Sequence, residues 1–188
     1  MGHCLCSRAG HQSCRNSKFS PGALTLQEME TVDLVIIGAE LEALSVLDRL
    51  SSAVLERTLV VDPSGAWLGR LEAWIRRLAP ALLRDPATLH AAKTPTALRS
   101  FAEKRFRGEE LVPAIPGFGP LPTPSLLLDF HRHMASRLPS ACRSVVAASV
   151  EELGAAEDDA IRVVLSTGRR VLARSVVHAL PPTRPVVP

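Results

Sequence analysis

The chain has 188 residues, enough for one domain with a real core, and 46% hydrophobic against 22% charged residues marks it as globular rather than disordered. A net charge of only +3, no dominant Lys/Arg block and 4% aromatic residues exclude a nucleic-acid surface. No apolar run of about 18 residues offers a membrane-spanning helix.

Residues 1–30 are polar, irregular and poor in large apolar side chains, and read as a disordered leader before a domain at 31–188. Cys4, Cys6 and Cys14 crowd this leader while Cys142 stands alone, which is no disulfide framework and fits a reducing, cytoplasmic compartment. Three readings of the leader stand. One is a plain tail. A second is lipidation: Gly2 follows Met1, and Cys4 and Cys6 lie next to it, so an acyl chain on Gly2 plus a thioacyl chain would give the two signals that membrane-surface anchoring needs, with Arg8, Arg15 and Lys18 helping on anionic lipid. A third is a metal site from His3, Cys4, Cys6, His11 and Cys14, whose spacing is not that of a zinc module. No apolar h-region follows the start, which argues against a secretory signal.

The domain opens on Thr31–Asp62. An apolar run, Val32 to Ile37, is followed at once by Gly38, then by a helix-periodic segment, Leu41 to Leu50, then by the run Leu59 to Val61 ending on Asp62. Strand, Gly turn, helix, strand, acid is the order of a dinucleotide-binding βαβ unit. A strand buried on both faces reads as continuous Val/Ile/Leu, Gly permits the sharp turn, the helix N-terminus suits a pyrophosphate, and an acid about 20 residues on suits a ribose hydroxyl. In the G-x-G-x-x-G/A pattern, Gly38 and Ala43 hold the first and third positions, with Ala39 between Gly38 and the second position, where Glu40 stands in place of glycine. Glu40 adds a Cβ and a negative charge where the backbone should approach the pyrophosphate, with Glu42 close by. Two acids there favour the helix and compete with an anionic ligand. A weakened cofactor site and a βαβ unit that binds nothing both fit this turn.

Asp48 and Arg49 are expected to face outward. Pro63–Arg70 reads as a loop running into a helix, with Trp67, Leu71, Trp74, Ile75 and Leu78 on one stripe, expected in the core, and Arg70, Arg76 and Arg77 opposite. A short helix follows over Pro95–Lys104, with Leu98, Phe101 and Ala102 inward. A long Pro/Gly-rich connection, Val112 to Pro124, leads to a helix over Leu126–Leu138 capped by Ser125. His131 and His133, two apart, face different sides and are read as surface residues. The last part alternates as strands do, over Val145–Val150, Ile161–Ser166 and Val171–Leu180, the latter two joined by a hairpin at Ser166-Thr167-Gly168-Arg169.

Together these pieces resemble the N-terminal FAD-binding half of the flavin-dependent monooxygenase superfamily, flavoproteins with two dinucleotide-binding domains that include N-hydroxylating monooxygenases. The resemblance spans Val32 to Pro182. It rests on Val35-Ile36-Ile37-Gly38-Ala39 with Asp62, on Gly65-Ala66-Trp67-Leu68-Gly69-Arg70 as the Gly-x-Trp loop after the acid, and on Leu83-Arg84-Asp85-Pro86. Leu98-Arg99-Ser100-Phe101-Ala102-Glu103, Leu121-Pro122-Thr123-Pro124 and the Val171–Ala179 strand extend it. It implies an α/β, Rossmann-like FAD/NAD(P)-binding fold: a parallel sheet with helices plus a small antiparallel hairpin. It implies an oxidoreductase with FAD as cofactor, its pyrophosphate near Gly38, Ala39 and Ala43, its adenosine ribose on Asp62, and Trp67 and Arg70 on the flavin side. NADPH would enter only if a second domain or a partner supplies its site, because the chain ends at Pro188 before a second Gly-rich fingerprint, and the Ala-Thr-Gly turn reads Ala179-Leu180-Pro181. The expectation is a truncated flavin-monooxygenase-like domain, weak or inactive by itself. The alternative is a non-catalytic, flavoprotein-like regulator acting through a protein partner, lipid-anchored at the membrane surface.

Overall fold

The computed structural model describes residues 29–113, 116–156 and 158–179. Strand β1 (Glu30–Ile37) is followed by helix α1 (Leu41–Leu47), a short helix α2 (Ser52–Leu55) and strand β2 (Thr58–Asp62). The βαβ unit is therefore present, with β1 and β2 parallel and Ile37 level with Val61. The burial of β1 is continuous from Leu34 to Ile37 and that of β2 complete, as expected for strands covered on both faces. Helix α1 stops sooner than its periodicity predicts. Asp48 ends it, and its carboxylate accepts the Lys93 amide at 2.6 Å instead of facing solvent alone.

Helices α3 (Gly69–Leu78), α4 (Ala97–Lys104), α5 (Pro124–Ser136) and α6 (Ser140–Arg143) fill the middle of the chain. A minimal antiparallel pair, β3 (Leu111–Val112) with β4 (Leu121–Pro122), closes the Pro/Gly-rich connection at both ends. The last strands are β5 (Val145–Ala147), β6 (Val150–Ala155), β7 (Ile161–Leu165) and β8 (Arg170–His178). The main sheet has six strands in the order β5-β2-β1-β8-β7-β6. The first four are mutually parallel, while β7 and β6 run antiparallel to their neighbours, β7 and β8 forming the expected hairpin.

The run Val145–Val150 is not one strand. Ala147 ends β5 on one edge of the sheet and Val150 begins β6 on the other, with only Ala148 and Ser149 between. The three residue steps from Ala147 to Val150 span at most about 11 Å, so the sheet must curl to bring its two edges that close. The inside of the curl is one core: Val35, Ile37, Leu59 and Val61 against Val163, Leu165 and Val171. The outside is another: Leu34, Ile36 and Val60 under Ala43 and Leu47 of α1 and Cys142 of α6. The alternation of β1 between the two cores is the period-2 geometry of a strand.

Three expectations in the helical part are corrected. The cap of α5 is Thr123, whose hydroxyl accepts the Leu126 amide at 3.2 Å; Pro124 occupies the first turn, and the Ser125 hydroxyl donates to Glu110 at 2.7 Å. His131 is fully buried: its Nε2 accepts the Ala91 amide at 3.1 Å and Nδ1 donates to the Leu127 carbonyl at 2.8 Å, while burial pushes the imidazole down to about 4. It holds the loop around Ala91, which has no strand to pair with. The stripe on α3 is core only in part. Trp67, Leu71 and Ile75 pack against buried Leu44, Leu68 and Leu128, but Trp74 and Leu78 are 39% and 54% exposed.

Candidate functional site

The C-terminal ends of β1 and β2 bring the predicted residues together. Gly38 leaves β1 at φ 111°, a conformation that favours glycine, and its N–H reaches the Val61 carbonyl at 2.8 Å. Ala39 and Ala43 are fully buried, and the small Ala43 lets α1 sit close on Ile36 and Val60. Asp62, at the end of β2, is 4% exposed.

The Asp62 carboxylate spends itself on the turn. Oδ2 accepts the Ala39 amide at 3.2 Å, while Oδ1 accepts the Ser64 amide at 2.8 Å and the Ser64 hydroxyl at 2.6 Å. A carboxylate has about four acceptor positions, so three bonds leave about one for a ribose hydroxyl. The turn beneath is tight: Gly65 has φ 65°, and a Cβ there would stand 2.8 Å from the Cβ of Ala147.

Glu40 does something the sequence did not reveal. It precedes α1 but makes no cap on it. Its side chain is 8% exposed and crosses to the N-terminus of α3, where Oε1 accepts the Arg70 amide at 2.8 Å and Oε2 the Leu71 amide at 3.2 Å. The Arg70 Nε lies 3.7 Å from Oε1, with the Arg70 side chain 46% exposed. Beside this pair the Leu68 amide donates to the Ala39 carbonyl at 2.7 Å, with Leu68 at φ 62°. A buried leucine in the left-handed region is uncommon, and here both its packing and its amide hold it there. The acid expected to favour α1 thus favours α3. Trp67 stands next to the clasp, half-buried, its ring N–H on the Arg143 carbonyl at 3.0 Å.

A cavity of about 420 Å³ opens beyond the sheet at the ends of β1, β2 and β8, lined by Ile37, Pro63, Ala148, Ser149, Val150 and His178 among others. Ligands of open α/β sheets bind outside the carboxyl ends of the strands, as this cavity lies. Its size admits a nucleoside, and its lining carries Glu151 and Glu152 beside the apolar residues. A pyrophosphate is disfavoured at the neighbouring turn. The α3 amides are taken by Glu40, and a dianion placed at the start of α1 would lie against that carboxylate. Two unit charges about 5 Å apart near a protein surface repel by about 3 kcal/mol. Gly2, Cys4 and Cys6 lie outside the described residues. Among the described residues, no group of three or more His, Cys, Asp or Glu side chains could hold a metal ion, and no helix is long and apolar enough to cross a membrane.

Sheet order, glycine turn and terminal acid define a Rossmann-like fold, and the solved structures that share it include flavin monooxygenases. Among solved structures, the FAD-bound cadaverine monooxygenase of desferrioxamine biosynthesis from Erwinia amylovora matches with a TM-score of 0.55 and 16% identity, over 80% of this chain and 36% of that one. OTEMO in complex with FAD and NADP matches with a TM-score of 0.50 and 17% identity, over 82% of this chain and 28% of that one. The closed form of cyclohexanone monooxygenase gives 0.50 and 21%, over 81% and 26%. At these identities the likeness is one of fold, and the chain spans about a third or less of their length. No protein-family model and no curated protein sequence matches the chain.

Proposed function

We propose that this chain is an FAD-binding, flavin-monooxygenase-like oxidoreductase domain that holds its cofactor weakly and is not a working monooxygenase by itself. The observation that carries this reading is the Gly38 turn: Gly38 on Val61, and Ala39 on Asp62, reproduce a dinucleotide unit beside a nucleoside-sized cavity. Asp62 would hold the adenosine ribose through its remaining acceptor position, and the sheet ends would hold the adenine. FAD, when bound, supplies the redox chemistry in such proteins, and the protein supplies orientation and exclusion of water. No catalytic acid or base is assigned to this chain. The NADPH that the resemblance implies requires a second domain or a partner, and the substrates of the solved monooxygenases remain theirs.

The test is the visible spectrum of the purified chain followed by an FAD titration. The reading predicts no flavin carried through purification and saturable binding about 100-fold weaker than an unobstructed turn would give, lost in Asp62→Asn. Absence of saturable binding in both the native chain and Glu40→Gly overturns it. The second reading is a non-catalytic protein that binds a protein partner. The exposed Trp74 and Leu78 on α3 favour it, and it gains if the titrations fail while the chain folds cooperatively. Membrane-surface anchoring through Gly2, Cys4 and Cys6 is a separate proposal, and labelling with myristate and palmitate analogues decides it.

A further inference from the structure

We infer that the Glu40 carboxylate is the site's own anion: it takes the place of a ligand's pyrophosphate between the starts of α1 and α3, and so sets the specificity of this turn against phosphate-bearing ligands. The inference rests on the dinucleotide-turn reading above and predicts that the turn discriminates against the ligand its fold suits.

The geometry points to a built contact. A carboxylate left in low dielectric without partners is costly, so a buried acid is either paired or neutralised. Glu40 is 6% exposed and has two amide donors at 2.8 and 3.2 Å with the Arg70 guanidinium behind them. These donors are first-turn amides of α3, which the macrodipole makes favourable to negative charge, and a helix leaves them without intrahelical partners. Free phosphate groups bind such amides in the same way. The carboxylate therefore satisfies what a ligand oxygen would satisfy.

The clasp is also continuous. Ala39 and Glu40 on one side meet Leu68, Arg70 and Leu71 on the other through three hydrogen bonds. Residues about 30 positions apart are thereby fixed without any ligand. In a turn with glycine at this position the Leu68–Ala39 backbone bond alone would join the two segments unless an anion lay between them. Side-chain length matters here. Glutamate spans from the backbone before α1 to the amides of α3, whereas aspartate, one methylene shorter, falls short by more than the tolerance of a hydrogen bond.

The experiment is thermal unfolding of the full chain and its Glu40→Gly, Glu40→Gln and Glu40→Asp variants, with and without inorganic pyrophosphate, followed by FAD titration of each. The native melting temperature is expected to be indifferent to pyrophosphate. Glu40→Gly melts lower and is raised by pyrophosphate, and Glu40→Gln, which keeps one acceptor but loses the charge, melts nearer the native chain and also responds. Glu40→Asp keeps the charge, loses the clasp and does not respond. A native chain raised by pyrophosphate as much as Glu40→Gly overturns the inference. So does a Glu40→Gln variant that folds and stays indifferent, which keeps the test decisive if Glu40→Gly does not fold. Response to pyrophosphate in the variants without FAD binding upholds the inference and removes the flavin reading. Tight FAD binding by the native chain does the reverse.

Discussion

Two regions of the molecule handle buried and half-buried acids in opposite ways. In the lobe of α4 and α5 the acids meet a cation. Arg107 pairs with Glu110 and, at 2.8 Å, with Asp129, and the Thr123 and Ser125 hydroxyls complete the shell around Glu110. In the dinucleotide turn the acids meet backbone. Asp62 and Glu40, 4% and 6% exposed, accept the amides of Ala39, Ser64, Arg70 and Leu71. The lobe's network is a matter of side-chain chemistry. The turn's network is a matter of where the backbone runs, so removing either acid strands amides that have nowhere else to go. The Arg107 guanidinium, helped by the Thr123 and Ser125 hydroxyls, holds Glu110 down to about 2, well below the usual carboxylate range.

The contrast can be broken from its strongest side. Asp62→Ala removes the acceptor of three bonds and leaves the Ala39 and Ser64 amides without it, and should cost about 2–4 kcal/mol in urea unfolding. A cost no larger than that of an exposed acid would show that the turn is not held from within.

A second lever is pH. Burial keeps the His131 imidazole neutral down to about 4, whereas the unfolded chain takes up its proton near 6.5. Its contribution is complete above 6.5 and is lost as pH falls from 6.5 toward 4, about 3 kcal/mol in all. Stability measured across that window should fall, and should fall less in His131→Gln. Glu110 acts lower: its folded value is depressed, so its contribution is complete above its unfolded value near 4.5 and disappears only as pH drops toward 2. The two windows separate the histidine that anchors the Ala91 loop from the ion pair of the lobe. The smallest expected effect is Trp67→Phe, which keeps an aromatic ring in place of the indole but loses the bond to the Arg143 carbonyl and should cost about 1 kcal/mol.

The parts of this molecule that were legible in the sequence are those written in local pattern. Val32–Ile37, Gly38 and Leu59–Asp62 announce the βαβ unit because a strand buried on both faces, a positive-φ turn and a terminal acid each leave a mark on neighbouring residues. The β7–β8 hairpin shows through Thr167-Gly168 in the same way. The rest depends on distant partners. His131 sits between Phe130 and Arg132, so helical spacing leaves its side open, and only the Ala91 amide, 40 residues away, explains its burial. Glu40 finds its donors on another helix, and no periodicity links it to Arg70. The Val145–Val150 run hides the point at which the chain leaves one sheet edge for the other, because both halves are apolar. Trp74 carries an apolar periodicity that the neighbouring elements do not fully cover.

The central claim is that this fold retains its dinucleotide turn and closes it with Glu40. Parallel FAD titrations of the native chain and Glu40→Gly test it most directly. The account predicts at least tenfold tighter binding in Glu40→Gly. Equal affinities in the two chains would contradict it.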